Sequence, residues 1–268
     1  MTFQLKPILV SALLFMSCNT GKLTVIGSID SDLDEASAAQ LISGSNLVWT
    51  IEDAGNKNNV YGLDKKGHII KDVDISNIKN HDWEDLAADT SGNLYIGDFG
   101  NNSRKRDHFF IYKVKNLANT TDKTEAETIR FTLPDDIKSE DFEAFFLWKD
   151  HFYIFSKESK KTMVIKVPNS IGNHVATYVT EYKLKGKDTR VTSADISPDG
   201  STIVLLNHDR VWKLTDFNTD AFFSGDVESI SLNHDSQKEG VCFKDNTTIY
   251  ITDEDSGKED NNIYKFNL

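Results

Sequence analysis

The chain has 268 residues, with 30 Lys and Arg against 42 Asp and Glu, for a net charge of −12. So large an acidic excess argues against a nucleic-acid polymer as partner and against electrostatic adhesion to anionic lipid. The length suits one sizeable domain, and no low-complexity or Pro-rich stretch divides it.

In chain order, the first segment reads as a leader. Lys6 precedes an apolar run from Ile8 to Met16, and Ser17-Cys18 follows. That run is too short to cross a bilayer as a helix and is placed like the core of a signal peptide. Ser17-Cys18 resembles a bacterial lipobox, although Phe15 and Met16 depart from its commoner residues. Two readings follow: a lipoprotein signal over residues 1–17 with lipidated Cys18, or a plain secretory signal with an incidental cysteine. The first places the mature protein at the bacterial cell envelope, periplasmic or outer surface, touching the membrane through its lipid anchor only. Removing Lys6 with the leader leaves 29 basic against 42 acidic residues, a net charge of −13. Cys242 is then the sole remaining cysteine, so no intrachain disulfide can form. Its run, Gly240-Val241-Cys242-Phe243, reads as a buried strand in which the thiol is a small hydrophobe.

From residue 22 onward one pattern recurs. The segments SAAQLI, EDLAAD, EAFFLW, SADISP and EGVCFK each run through a Gly-, Asp- or Asn-rich turn into a second strand: NLVWTIED, NLYIGDFG, HFYIFSKE, TIVLLNHD and TIYITDED. A third strand follows each time, and a fourth follows the first four. The fifth set ends with the chain, while the unused strand KLTVIGSI (Lys22 to Ile29) lies at the other end. Repeats of this kind predict an all-β fold: a five-bladed β-propeller over residues 22–268, closed by the N-terminal strand. The anchors Ser37, Glu84, Glu143, Ser193 and Glu239 stand 47, 59, 50 and 46 residues apart, near one blade each.

In a propeller the first strand of each blade lines a central channel, so these five anchors form one ring: three carboxylates and two hydroxyls. Fourteen residues after four of them come Asp98, Lys157, Asn207 and Asp253, and the first blade has Glu52-Asp53 at that place. A second polar ring at the same mouth is expected. Three ionised carboxylates about 6 Å apart repel by roughly 3 kcal/mol per pair at an effective dielectric near 20. A divalent cation, Lys157, or protonation of one Glu would offset this, and a solvated channel without a specific ion is the remaining reading. The all-oxygen donor set fits Ca²⁺ and not Zn²⁺, with Ser37, Glu84, Glu143, Ser193 and Glu239 as ligands. The basic run Arg104-Lys105-Arg106, after the loop Gly100-Asn101-Asn102, could bind an anion above that cation. The chain has no HExxH, GxSxG, P-loop or EF-hand pattern.

Two resemblances rest on these segments. Asp82-Trp83-Glu84-Asp85-Leu86-Ala87, Tyr95-Ile96-Gly97-Asp98-Phe99-Gly100-Asn101-Asn102, Asp141-Phe142-Glu143-Ala144 and Gln237-Lys238-Glu239-Gly240 look like a group of secreted bacterial propellers, some of them related to the esterase-like phytase propellers. Asn101 stands where that pattern often has Asp. The series Ser37, Glu84, Glu143, Ser193, Glu239 is also similar to the channel segments of the calcium-activated nucleotidases (apyrases), five-bladed propellers whose central Ca²⁺ is held by Ser, Glu, Glu, Ser and Glu. That resemblance implies Ca²⁺ at the same five residues here. Outside these segments the nucleotide-contacting residues have no counterpart that can be placed.

The sequence therefore supports a monomeric, lipid-anchored propeller with a channel Ca²⁺ site and a mouth that binds a small molecule, glycan or protein. The alternative is a calcium-dependent phosphohydrolase or esterase. In it Asp53, Asp98 or Asp253 would act as general base and Lys157 would stabilise developing negative charge. The leader yields a first test. Cys18→Ser should move the protein from the membrane fraction to the soluble fraction. Unchanged fractionation, with no lipid mass on Cys18, would mean an ordinary signal peptide.

Overall fold

The structure, a computed structural model, describes residues 20–33, 35–254 and 261–268. The expected leader and Cys18 lie outside them. Among the described residues the only helical element is a short 3-10 turn, Leu117–Asn119; all other regular structure is β.

Strand β1 (Thr24–Ser28) comes first. Blade one holds β2 (Ala36–Gln40), β3 (Val48–Glu52), β4 (Asn59–Leu63) and β5 (Ile69–Ile75). Blade two holds β6 (Trp83–Ala88), β7 (Leu94–Asp98), β8 (Phe109–Val114) and, after the short β9 (Lys123–Thr124), β10 (Ala126–Thr132). Blade three holds β11 (Phe142–Trp148), β12 (His151–Ser156), β13 (Thr162–Pro168) and, after β14 (Gly172–Val175), β15 (Thr177–Tyr182). Blade four is β16 (Ser193–Ile196), β17 (Ile203–Leu206), β18 (Arg210–Thr215) and β19 (Asp226–Ser231); blade five is β20 (Lys238–Asp245), β21 (Thr248–Asp253) and β22 (Asn262–Asn267). Antiparallel pairing of β1 with β22, Thr24 opposite Lys265 and Ser28 opposite Asn262, gives blade five its fourth strand. The ring closes as the repeat predicts.

Two strands fall outside the four-per-blade pattern. β9 pairs in parallel with β5 of the preceding blade, and β14 pairs in parallel with β10. Each blade thus covers the outer edge of the one before it at two of the seams, which removes an exposed edge. Strands this short leave no alternation to read.

The apolar core lies between blades rather than within them. Trp49, Ile51 and Val73 of blade one pack on Trp83, Ile96 and Val114 of blade two, and Phe146 and Phe155 of blade three pack with Trp212 of blade four. Fully burying one such side chain contributes about 1.5–3 kcal/mol, and each contribution exists only while the neighbouring blade is present. Closure is therefore the condition for stability. At the closing seam the β4–β5 turn meets β1: Ser28 N donates to Lys66 O (2.9 Å) and Asp30 N to Gly67 O (3.2 Å). Gly67 has φ +95°, and a Cβ there would lie 2.0 Å from Ser28 O. Gly67→Ala should cost about 2 kcal/mol or more, from left-handed strain and the clash together. A loss within about 0.5 kcal/mol in denaturant unfolding, the size of a neutral surface change, would contradict the seam.

Candidate functional site at the channel mouth

The first strands β2, β6, β11, β16 and β20 surround the channel; the ladder slips by one residue in β2, β6, β11 and β20, and in the last three a slip falls on a glutamate. Trp83 opposes Asp98 and Asp85 opposes Gly97, so Glu84 is the extra residue of a β-bulge. Glu143 stands in the same way between Phe142 and Ala144, and Glu239 between Lys238 and Gly240. A bulge bends its strand and re-aims a side chain. The three carboxylates are thereby taken out of the in–out alternation of their strands and gathered at the mouth.

All three are buried. Glu84 and Glu143 lie within hydrogen-bonding reach of each other. Lys157 Nζ donates to Glu143 Oε2 at 3.1 Å, and His208 Nε2 stands 3.2 Å from Glu239 Oε1. Burial raises Glu84 well above the usual carboxylate range, and the neighbouring Glu143 adds to it. Burial pushes Glu143 up to about 7 despite Lys157. Burial by itself would lower Lys157, but Glu143, Glu239 and Glu84 outweigh it and hold the ammonium charged. Around this centre burial raises Asp82, and it raises Asp53 to about 6 and Glu254 to about 7, with Glu35 adding to both of the latter. Among the described residues, carboxyl groups outnumber the cations at the mouth. Gly100 permits the packing: a Cβ there would sit 2.0 Å from Glu84 Oε1 and 2.4 Å from Asp82 Cγ.

Below the glutamates the channel is plugged. Asp85 is fully buried and accepts from Leu86 N (2.9 Å), Phe145 N (3.1 Å), Ala194 N (3.2 Å) and Ser193 Oγ (3.0 Å). Asp195, one layer further down, accepts from Ile196 N (2.8 Å) and Phe243 N (2.7 Å) and meets the Gln40 side chain. Burial raises Asp85 well above its ordinary range and Asp195 to about 7. Both were missed as site residues. The signal was present: each is a carboxylate one or two residues after an anchor, within the same first strand.

The two serine anchors differ from the glutamates. Ser37 Oγ donates to Glu84 O at 2.7 Å beside the cluster. Ser193 Oγ donates to Asp85 and accepts from Val241 N at 3.0 Å, so both its faces are committed to the plug.

The residues expected to form a second ring separate into two groups. Lys157 and the half-buried Asp53 stand at the mouth. Asp98 and Asp253 are buried behind it, each accepting from a tyrosine of the third strand: Tyr112 Oη at 3.3 Å and Tyr264 Oη at 2.6 Å. Glu52 and Tyr61 make the same pair in blade one at 2.9 Å. Asp98 also holds Arg106 at 2.9 Å and His81 at 3.0 Å, and Asn207 builds its own turn by accepting from Asp209 N and Arg210 N. Continuity of the ring is therefore corrected: tyrosines recurring at one register draw these carboxylates away from the channel. The basic run is similarly occupied. Arg106 binds Asp98 and the carbonyl of Gly100, and Arg104 pairs with Glu158 at 2.6 Å; among the described residues the Lys105 side chain makes no such bond. Asn101 shapes the loop by donating from its backbone to Asp141 and accepting from Lys105 N and Arg106 N.

A Ca²⁺ ion's preference for carboxylate and hydroxyl oxygen fits Glu84, Glu143, Glu239 and Ser37, and does not fit Ser193 as bonded. Among the described residues no three His, Cys, Asp or Glu stand at metal-ligand spacing. The ammonium of Lys157 stands against Glu143 and feels the charge of Glu239 and Glu84.

The sequence model of a family described as SdiA-regulated matches residues 29–266. No curated protein matches the chain. Among solved structures, the PQQ-bound aldose sugar dehydrogenase of Streptomyces coelicolor aligns over 92% of this chain and 98% of its own, with 8% identity and a TM-score of 0.52. The gluconolactonase XC5397 of Xanthomonas campestris aligns over 93% and 92%, with 8% identity and a TM-score of 0.53. Likeness at that identity shows a shared propeller architecture alone.

The raised carboxylates have a consequence for stability. Glu143, Asp195 and Glu254 titrate at about 7 when folded, against 4.5 or 3.8 ordinarily. Between those values the folded form binds more protons than the unfolded form, so their contribution is full below about pH 4 and is lost as pH rises through about 7. Asp188, which Arg190 holds at about 2, acts only below this window. Chelator-treated protein should melt at a higher temperature at pH 5 than at pH 8. A melting temperature that climbs over that range would contradict the buried cluster.

Proposed function

This chain belongs to the SdiA-regulated family, and for a propeller of that family with this mouth we propose a calcium-dependent binding module of the cell envelope, held by lipid at Cys18. Glu84, Glu143 and Glu239 would hold the ion with Ser37 beside them, and the loops above would recognise a small molecule, a glycan or a protein. One observation carries the reading: three bulge-borne carboxylates converge on a buried centre where, among the described residues, Lys157 is the one ammonium paired with them, which leaves them short of positive charge. When bound, a divalent cation supplies that charge and a Lewis-acidic face toward an oxygen ligand. The chain's own residues then release the proton between Glu84 and Glu143 and free Lys157 to face an incoming anionic group.

Hydrolysis is the second reading, and one observation favours it. Asp53, raised to about 6 by burial and by Glu35, stands at the mouth with a pKa close to that of an effective general base near neutrality. Lys157 would stabilise developing charge. Asp98 and Asp253, taken up by tyrosines, are less suited to that work. Turnover of phosphate or carboxylate esters that falls about 10²-fold in Lys157→Ala, the scale of one lost charge-stabilising donor, would select hydrolysis. Absence of turnover leaves the binding module.

The binding reading is tested by melting. Calcium at about 100 times its dissociation constant should add about 2.7 kcal/mol, and Glu84→Gln or Glu143→Gln should reduce that gain. The gain should also flatten the pH dependence above, because the ion displaces the proton. Equal melting in calcium and in chelator would remove the site.

A further inference from the structure

At the far end of the channel, where each first strand turns into its second, all five blades line a cavity of about 610 Å³. Asp195 and Gln40 form part of its floor, Phe243 and Trp148 part of its wall, and Lys149 and Asp150 part of its rim. Its size is that of a ligand pocket. Nothing in the mouth reading uses it.

Three features define the chemistry it would take. Asp195 is buried, and its carboxylate meets backbone amides and Gln40 with no Lys, Arg or His paired to it among the described residues. The carboxylate of Asp150, exposed at the rim, joins no hydrogen bond and no ion pair among them, while its backbone carbonyl accepts from Asn169 N at 2.9 Å. The wall already receives an ammonium ion: Lys149 Nζ lies 4.0 Å from the centroid of the Trp148 ring, a cation–π contact. Lys149 and Asp150 form the two-residue turn between Trp148 and His151, both with left-handed φ (46° and 60°), and this turn sets the lysine beside the ring. The Lys149 contact is a stand-in for a ligand made by the protein itself.

We propose that this lower cavity binds a small organic polyamine, one ammonium taking the place of Lys149 on Trp148 between the Asp150 rim and the Asp195 floor. An aromatic wall with unpaired carboxylates above and below it suits a chain of separated positive charges. A neutral sugar would leave those carboxylates uncompensated, and an anion would be repelled. The proposal is independent of the calcium reading, because the plug of Asp85 and Asp195 separates the two ends.

Spermidine titrated into the full-length protein, in calcium, supplies the test. Trp49, Trp83 and Trp212 are fully buried and Trp148 is not, so a change in tryptophan emission reports on the cavity. Saturable quenching is expected. Asp150→Asn, an exposed change that should leave folding intact, should weaken binding about threefold, and Trp148→Phe should weaken it similarly and abolish the emission change. Lys149→Ala should tighten binding severalfold by removing the competing ammonium. Binding that is absent, that is indifferent to Asp150→Asn and Lys149→Ala, or that is matched by an uncharged polyol would overturn the proposal.

Discussion

Every first strand of a propeller has one edge without a partner strand, and all five such edges face the channel. An amide buried there without an acceptor costs about 1–3 kcal/mol. Asp85 and Asp195 answer this constraint. From β6, Asp85 accepts from amides of β11 and β16 and from the Ser193 hydroxyl; from β16, Asp195 accepts from β20 and reaches Gln40 of β2. Two side chains thus link all five blades across the axis. They also close the channel, so the molecule has two cups set back to back rather than a tunnel. Because Glu84 precedes Asp85 directly, the clasp also fixes where the mouth begins.

Much of this was legible from the residues. The strand repeats and turns reveal the blade count, and the unmatched strands at the two chain ends reveal the closure. The anchor register puts Glu84, Glu143 and Glu239 at one place in their blades, but spacing alone could not show that each is a bulge. Nor could it separate Ser37 from Ser193, because what a hydroxyl bonds depends on the neighbouring blade. The second ring was misjudged for a similar reason. Asp98 and Asp253 are at the expected places in their strands, yet Tyr112 and Tyr264 turn them away from the axis. Those tyrosines recur at one position of the third strand, a signal that was readable. β9 and β14 were not readable, since parallel pairing of so few residues leaves no periodic trace.

The mouth holds a charge problem with three competing solutions. A proton can sit between Glu84 and Glu143, Lys157 can supply one positive charge, or a divalent cation can supply two. Burial makes each of these stronger than it would be in water, since the effective dielectric falls. In this structure Lys157 stands 3.1 Å from Glu143, and burial favours the protonated form of Glu84 and Glu143. Proton and ammonium are both displaceable, one by deprotonation and the other by movement of a flexible side chain. The fold fixes the glutamates and leaves their counter-charge open, which is the property expected of a site that exchanges a ligand.

Crystals grown in calcium and measured for anomalous scattering test this account most directly. The account predicts a peak about 2.3–2.6 Å from carboxylate oxygens of Glu84, Glu143 and Glu239, with Lys157 drawn away from its 3.1 Å contact to Glu143. If that contact persists in saturating calcium and no peak stands among the three glutamates, Lys157 is their permanent counter-charge and the mouth is not a calcium site.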